Sequence, residues 1–177
     1  VYLCNHYGLK EVAEYWHGVV KLNDYQTSRF ARNVVLQLFN TVAGKKICLF
    51  GFAFKANTGD TRESPAIQVT KQLIAEHAKV AITDPKALPS ARLDVDHPNV
   101  TFHEDPYEAA KDAHAIAVLT EWDYYKTLDY RRVFQAMTQP AFIFDGRNIL
   151  DHKKLHEIGF NVYPIGKPKL THFAKNK

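Results

Sequence analysis

Cysteine and methionine are scarce in this chain, which has two Cys and one Met among its 177 residues. Two cysteines cannot form the disulfide framework of a small secreted domain, so we predict a reducing, cytoplasmic setting. Cys48 lies in the apolar run "KKICLF" and is predicted to be a small buried hydrophobic residue. Cys4 lies on an apolar helical stripe, so we assign it a structural role and predict no catalytic nucleophile in this chain.

Long apolar runs and strong charge are absent as well. No run approaches the length of about 20 residues that a membrane-spanning helix needs, and the chain does not open on a signal peptide. The net charge is only +4, and much of it lies in the C-terminal stretch "GKPKLTHFAKNK", which we predict to be a solvated basic tail. Neither a nucleic acid nor a membrane is therefore expected as a partner.

Several active-site motifs are also missing. The sequence has no G-x-S-x-G and no Cys–His nucleophile context. His152 and His156 are spaced i, i+4 but have no third ligand nearby, so we predict an exposed helix rather than a metal site. Gly51 opens a turn as a dinucleotide-binding loop would, yet Ala53 and Ala56 stand where the later glycines of G-x-G-x-x-G belong.

Apolar runs that alternate with capped helices dominate the chain from residue 45 onward, and they predict a doubly wound α/β fold. We predict a Rossmann-like parallel sheet with flanking helices, preceded by a long helical segment over residues 11–42. The helices of the sheet region are predicted to begin after four polar capping residues, namely Ser64, Asp105, Asp129 and Asp151. The predicted divisions are 1–43 (helical), 44–166 (Rossmann-like) and 167–177 (basic tail).

Polar residues follow several of the predicted strands. Because the carboxyl ends of parallel strands share one edge of the sheet, this edge is where a ligand is expected. Lys55 follows the turn at Gly51, and Arg147 follows Gly146 after another strand. A cation beside exposed backbone N–H groups suits a phosphate, although both residues could instead be surface cations paired with carboxylates.

Two further residues near this edge have open interpretations. Arg62, in "GDTRES", either pairs locally with Asp60 or Glu63 or reaches a second ligand. Asp84 stands where a Rossmann sheet places its ribose-binding acid. Without the upstream glycines, it is better explained as closing the turn before Pro85.

Four long stretches resemble the eukaryotic UDP-glucose 6-dehydrogenase family: "NDYQTSRFA", "LFNTVAGKKICLFGFAFKANTGDTRESPAI", "DPYEAAKDAHAIAVLTEWD" and "FIFDGRNILD". The resemblance extends from residue 1 to about residue 166. It implies that this chain is the end of a central helical domain followed by a UDP-binding domain. The family's NAD-binding domain and catalytic cysteine have no counterpart in this sequence, so the fragment is expected to be inactive alone.

The resemblance also implies roles for individual residues. Phe54, Lys55 and Arg147 match residues that contact the substrate UDP-glucose, and Arg62 matches an arginine that reaches the cofactor NAD. The family oxidises UDP-glucose to UDP-glucuronate with two NAD. A segment of the family that lies at a subunit contact matches five residues here, which implies self-association as a dimer or a hexamer: Gln37, Leu38, Phe39, Asn40 and Thr41.

Three other functions remain possible at this point. The chain could belong to a related dehydrogenase of GDP-mannose or of a UDP-N-acetylhexosamine, although the stretch "FAFKANTGDTRES" favours the UDP-glucose enzymes. It could be a non-catalytic module that binds a nucleotide sugar or mediates oligomerisation. From the residues alone it could also be an NAD-binding Rossmann domain, against which the missing glycines count.

Overall fold

The computed structural model describes residues 1–173, so the last four positions of the predicted basic tail lie outside the described residues. The helices are, in chain order, α1 (Tyr2–His6), α2 (Lys10–Gln37), α3 (Pro65–Ala75), α4 (Leu88–Asp94), α5 (Pro106–Ala110), α6 (Tyr130–Ala136) and α7 (His152–Ile158). The strands are β1 (Lys46–Phe50), β2 (Lys79–Thr83), β3 (Val100–Phe102), β4 (Ala115–Val118), β5 (Phe142–Asp145) and β6 (Asn161–Pro164). A 3-10 helix covers Asp123–Thr127.

The six strands form one sheet in the order β3-β2-β1-β4-β5-β6, and each neighbouring pair is parallel. This is the strand order of a Rossmann sheet, and it confirms the predicted fold class. The order reverses between β1 and β4. The chain leaves β1 toward a helix on one face and leaves β4 toward helices on the other, so a crevice opens between the two loops.

Alternate residues of the central strand β1 supply two separate cores. Ile47 and Leu49 pack on one face against α3, α4 and the second half of α2. Cys48 and Phe50 pack on the other face against α5, α6 and α7. Cys48 is fully buried, as predicted, and burial raises the pKa of its thiol well above the ordinary range.

The four predicted capping residues each begin a helix, namely α3, α5, α6 and α7. Ser64 Oγ accepts a hydrogen bond from Ala66 N, and Pro65 follows as the first residue of α3. The carboxylates of Asp105, Asp129 and Asp151 accept hydrogen bonds from backbone N–H groups at the starts of α5, α6 and α7 in the same way. These caps satisfy donors that have no partner within the helix.

The long helix α2 ends earlier than its apolar pattern predicts. Phe39 and Asn40 have φ angles of +66° and +61°, which a right-handed helix does not accommodate. Lys45 Nζ donates to the carbonyl oxygens of Leu38 and Thr41 at 2.5 and 2.8 Å, so one side chain satisfies acceptors just beyond the helix end. The prediction of a helix to residue 42 was therefore wrong by about one turn.

Helix α4 and the edge strand β3 were not predicted, because Pro89 and Pro98 break the apolar pattern there. Part of the predicted tail is also attached to the sheet. Leu170 pairs antiparallel with Val162 through two backbone hydrogen bonds of 2.7 and 2.9 Å. The helices among residues 1–173 all lack the combination of length and apolar character that would let one cross a membrane.

Candidate functional site

The loops that follow β1, β2, β4 and β5 meet at the carboxyl edge of the sheet. We call the residues 51–56, 84, 119–122 and 145–148 the carboxyl rim. Buried polar groups fix these loops, and two exposed or half-buried cations, Lys55 and Arg147, lie on them.

Asp84 follows β2 and is the central support of the rim. Its side chain is buried, and Oδ2 accepts hydrogen bonds from Phe52 N at 2.7 Å, Ala53 N at 3.0 Å and Trp122 Nε1 at 3.1 Å. Oδ1 accepts from the backbone N–H groups of the two residues after Pro85, both at 2.8 Å. The predicted turn-closing role is present. The links to the loops after β1 and β4 were not foreseen.

The turn at Gly51 is fixed by its contact with Thr120. Gly51 has a φ angle of +92°, and a methyl group added there would lie 2.4 Å from Thr120 Cβ. Thr120 Oγ1 also donates to Ala53 O at 2.6 Å, with both groups buried. Glycine is therefore required here by its backbone conformation and by close approach to the loop after β4.

Arg147 is held by the turn that follows β5. Asp145 Oδ1 accepts from Arg147 N at 3.0 Å, and Arg147 Nε donates to Leu119 O at 2.6 Å. Nε also lies 3.4 Å from Glu121 Oε2. The other oxygen of Asp145 accepts from Leu150 N and contacts His152 Nε2 at 2.9 Å, so a buried carboxylate anchors this turn.

Phe54 and Lys55 stand on the exposed part of the loop after β1. Phe54 is 47% exposed, and its backbone N–H donates to Asp60 O at 2.9 Å. Lys55 is exposed, and its ammonium group makes no hydrogen bond or ion pair with the described residues. Ala56 N lies 3.4 Å from Glu121 Oε1, so the same carboxylate contacts both this loop and Arg147. The two predicted cations therefore share one edge of the sheet.

Arg62 lies beyond this turn and pairs with Asp60, as one of its two interpretations expected. Its guanidinium donates from Nε and Nη2 to the Asp60 carboxylate, at distances down to 2.7 Å. Those hydrogen bonds lower the pKa of Asp60 from its ordinary value of 3.8 to about 2. The Arg62 side chain is nonetheless 88% exposed.

The turn after β1 differs from a dinucleotide-binding loop in two ways. The acid in the ribose-binding position is Asp84, which is buried and already accepts five N–H donors. Thr120 packs so closely against Gly51 that a Cβ there would lie 2.4 Å from Thr120 Cβ. Arg62 lies outside this turn, where its guanidinium is paired with Asp60.

The segment Gln37–Thr41, which the resemblance implies as a subunit contact, has mixed exposure. Leu38 is buried in the core of this chain, so its side chain is not accessible to a partner. Phe39 is 59% exposed, while Asn40 and Thr41 are exposed too. Gln37 Nε2 donates to Asn33 Oδ1 at 3.3 Å along α2.

The two histidines of α7 are less exposed than predicted. His152 pairs with the buried Asp145, and the His156 ring stacks on His172 with centroids 4.1 Å apart and planes 3° apart. Both are half-buried, and His156 is covered by His172 from the segment after β6. Within residues 1–173, no three His, Cys, Asp or Glu side chains are placed to hold a metal ion.

Sequence reasoning did not assign supporting roles to Asp84, Thr120, Glu121 and Trp122. The one indication in the sequence was their position. All four come just after β2 or β4, at the edge of the sheet where Lys55 and Arg147 were expected. Nothing in the sequence alone says which of them are buried or which loop each one contacts.

Comparison with known proteins places this geometry in a family. Residues 48–152 match the UDP-glucose/GDP-mannose dehydrogenase family, UDP binding domain. The chain is 50% identical to UDP-glucose 6-dehydrogenase 2 of Oryza sativa subsp. japonica over 99% of its own length, and 52% identical to UDP-glucose 6-dehydrogenase 1 of Arabidopsis thaliana over 95%. The chain spans 40% of the length of the first relative and 39% of the length of the second.

Solved structures agree with the sequence comparison. A UDP-glucose dehydrogenase from the archaeon Pyrobaculum islandicum superimposes with a TM-score of 0.66 at 30% identity, covering 82% of this chain and 30% of that one. An NDP-N-acetyl-D-galactosaminuronic acid dehydrogenase from Methanosarcina mazei superimposes with a TM-score of 0.69 at 22% identity, over 85% and 30%, which supports the fold alone. The family match covers more than half of the chain, so the chain belongs to the UDP-glucose/GDP-mannose dehydrogenase family and contains its UDP binding domain.

Proposed function

We propose that this chain is the UDP-sugar-binding part of a UDP-glucose 6-dehydrogenase, and that Phe54, Lys55 and Arg147 contact the ligand. The single observation that carries the proposal is that two cations on different loops share the carboxyl rim of a Rossmann sheet. The identity of about 50% to plant UDP-glucose 6-dehydrogenases supports the choice of ligand.

The charges of the rim suit a diphosphate. Lys55 has an exposed ammonium group, and the guanidinium of Arg147 is held through Nε by Leu119 O, with its terminal nitrogens donating to none of the described residues. Each charged hydrogen bond to phosphate contributes about 1.5–3 kcal/mol, from which the cost of ordering the ligand and side chains is subtracted. We expect a dissociation constant for UDP of roughly 10 μM to 1 mM.

The whole reaction is proposed to need parts outside this chain. Oxidation of UDP-glucose to UDP-glucuronate with two NAD requires a thiol nucleophile and a bound nicotinamide. Burial raises the pKa of the Cys48 thiol, which makes it unreactive, and Cys4 lies on the short helix α1, which packs against α2. Arg62 is proposed to contact NAD held by another domain, because its side chain projects outside the diphosphate turn.

Self-association through the segment Gln37–Thr41 is proposed as well. The exposed ring of Phe39 supports it, since an aromatic side chain that is 59% exposed beside a helix end is available to a second copy. A dimer and a hexamer are both compatible with this surface. A cytoplasmic location is supported by two cysteines that form no disulfide.

Calorimetric titration of the 177-residue chain with UDP tests the proposal. We expect Lys55→Ala and Arg147→Ala each to weaken UDP binding about ten-fold, because each removes a charged hydrogen bond. Lys153→Ala, which removes an exposed lysine from α7, is the matched control and leaves the affinity unchanged. Absence of binding at millimolar UDP, or equal affinity in all variants, would contradict the proposal. Tighter binding of GDP than of UDP would favour a GDP-mannose dehydrogenase instead.

A further inference from the structure

Glu121 has a carboxylate between the two cationic parts of the carboxyl rim. Oε1 lies 3.4 Å from Ala56 N, on the loop that carries Lys55, and Oε2 lies 3.4 Å from Arg147 Nε. The Glu121 side chain is 40% exposed and that of Arg147 is 30% exposed, so neither contact is part of the core. The arrangement links the loop after β1 to the turn after β5 through a residue that follows β4.

The contact with Arg147 fixes the direction of the guanidinium. Arg147 Nε donates to Leu119 O at 2.6 Å and faces Glu121 Oε2, so the Nε side of the planar group is taken up by the protein. The two terminal nitrogens donate to none of the described residues. A guanidinium anchored by one side presents its other side as a fork, and this is the geometry that binds a phosphate through two parallel hydrogen bonds.

The neighbours of Glu121 explain why it lies at this position. Thr120 is buried against Gly51, and Trp122 Nε1 donates to Asp84 Oδ2 at 3.1 Å. With the residues on both sides fixed, the backbone at Glu121 is held beside the two loops.

We propose that Glu121 is a positioning residue, which orients Arg147 and the loop at Ala56 for the diphosphate of the ligand without contacting the ligand itself. This inference rests on the proposed function. The alternative is that the Glu121 carboxylate weakens UDP binding. It would do so by occupying the place of a phosphate group and by repelling the negative charge of the diphosphate. The two ideas differ in the sign of the effect on UDP affinity.

A double-mutant cycle on UDP affinity separates them, measured by calorimetry on the 177-residue chain. We expect Glu121→Ala to weaken UDP binding about five-fold, an effect typical of a partly exposed charged contact. The same change made in the Arg147→Ala background is expected to alter the affinity less than about two-fold, since the group that Glu121 orients is gone. Glu121→Gln is expected to weaken binding less than Glu121→Ala, about two-fold, because its one amide oxygen can still accept from Arg147 Nε while its NH₂ group cannot accept from Ala56 N.

Two controls exclude a structural explanation. Glu157→Ala removes an exposed carboxylate from α7 and is expected to leave UDP affinity unchanged. The melting temperature of Glu121→Ala is expected to stay within about 2 °C of wild type, because the side chain is outside the core.

Several results would overturn the inference. These are tighter UDP binding by Glu121→Ala, an unchanged affinity, or an equal loss with and without Arg147. If Lys55→Ala and Arg147→Ala weaken binding while Glu121→Ala does not, only this inference fails. If the wild-type chain does not bind UDP, the proposed function fails and this inference fails with it.

Discussion

The carboxyl rim and the N-terminal helical region are stabilised in opposite ways. At the rim, Asp84, Thr120 and Asp145 are buried. Asp84 and Thr120 make hydrogen bonds to the loop after β1, and Asp145 makes hydrogen bonds within the turn that follows β5. Within residues 1–25, Ala13 is the one buried side chain. The exposed large apolar residues of that region are Val1, Tyr2, Leu3, Tyr7, Leu9, Val12, Tyr15, Trp16, Val20, Leu22 and Tyr25.

The difference shows which part of the structure is stabilised by contacts within this chain. Polar groups that are buried and satisfied fix the rim loops in one arrangement. The ligand proposed above would therefore meet loops that are already formed. The first half of α2 gains little from packing within this chain, and most helical stability comes from packing an apolar face. The second half of α2 does pack, since Ala31 and Val34 are buried and the Phe30 ring lies against Gly146.

Replacement of the Asp84 carboxylate is expected to have the largest effect on stability. Asp84→Asn places an amide NH₂ group against some of the five N–H donors that now surround the carboxylate. We expect a loss of about 3–5 kcal/mol in the free energy of unfolding, measured by urea denaturation. Asp96→Asn, at an exposed aspartate, is the matched control and should change stability by less than about 0.5 kcal/mol. Similar values for the two variants would refute a supporting role for Asp84.

Two glycine substitutions separate the contact with Thr120 from the cost of the backbone conformation. Gly51 and Gly44 both have positive φ angles, +92° and +71°, but only the added methyl at Gly51 meets other atoms within 4 Å. We expect Gly44→Ala to cost about 1 kcal/mol and Gly51→Ala about 3 kcal/mol or more, by the same denaturation assay. Equal costs would mean that the close approach to Thr120 is not what requires glycine at position 51.

The two halves of α2 are compared directly by Val34→Ala and Trp16→Ala. Val34 is fully buried, so its truncation is expected to cost about 2 kcal/mol. Trp16 is 51% exposed, and alanine is the better helix former, so its replacement should change stability by less than about 0.5 kcal/mol. A larger loss from Trp16→Ala in the 177-residue chain would show that the first half of α2 is packed after all.

The pair between Arg62 and Asp60 is expected to affect titration more than stability. The pKa of Asp60 is lowered to about 2, so the pair contributes above pH 3.8, and its contribution is lost as the pH falls through about 2. We expect Arg62→Ala to return the pKa of Asp60 toward 3.8, as followed by NMR titration of the carboxyl carbon. If the pKa of Asp60 stays near 2 in Arg62→Ala, a group other than Arg62 lowers it.

Much of the fold could be predicted from the sequence, because its signals are local. Ser64, Asp105, Asp129 and Asp151 cap helices through hydrogen bonds to residues two or three positions away. The short edge strand β3 and helix α4 gave no comparable pattern. Lys55 and Arg147 could be placed at the same edge of the sheet because the fold class predicts which ends of the strands meet.

The supports of the site depend on distant contacts. The bond from Trp122 Nε1 to Asp84 joins residues 38 positions apart, and that from Thr120 to Ala53 joins residues 67 apart. Periodicity and spacing contain no information about such pairs, so burial of a carboxylate at the end of β2 could not be foreseen. The same applies to His156, whose ring is covered by His172 from a segment that was predicted to be a solvated tail.

Mapping of backbone amide shifts during a UDP titration tests the central claim most directly, because it reports on the rim and the helical region in one experiment. The account predicts that the largest shifts fall at residues 51–56 and 146–148, with saturation, while amides of residues 10–23 stay unchanged. Largest shifts on α2, or at the opposite edge of the sheet near Lys45 and Lys79, would contradict it.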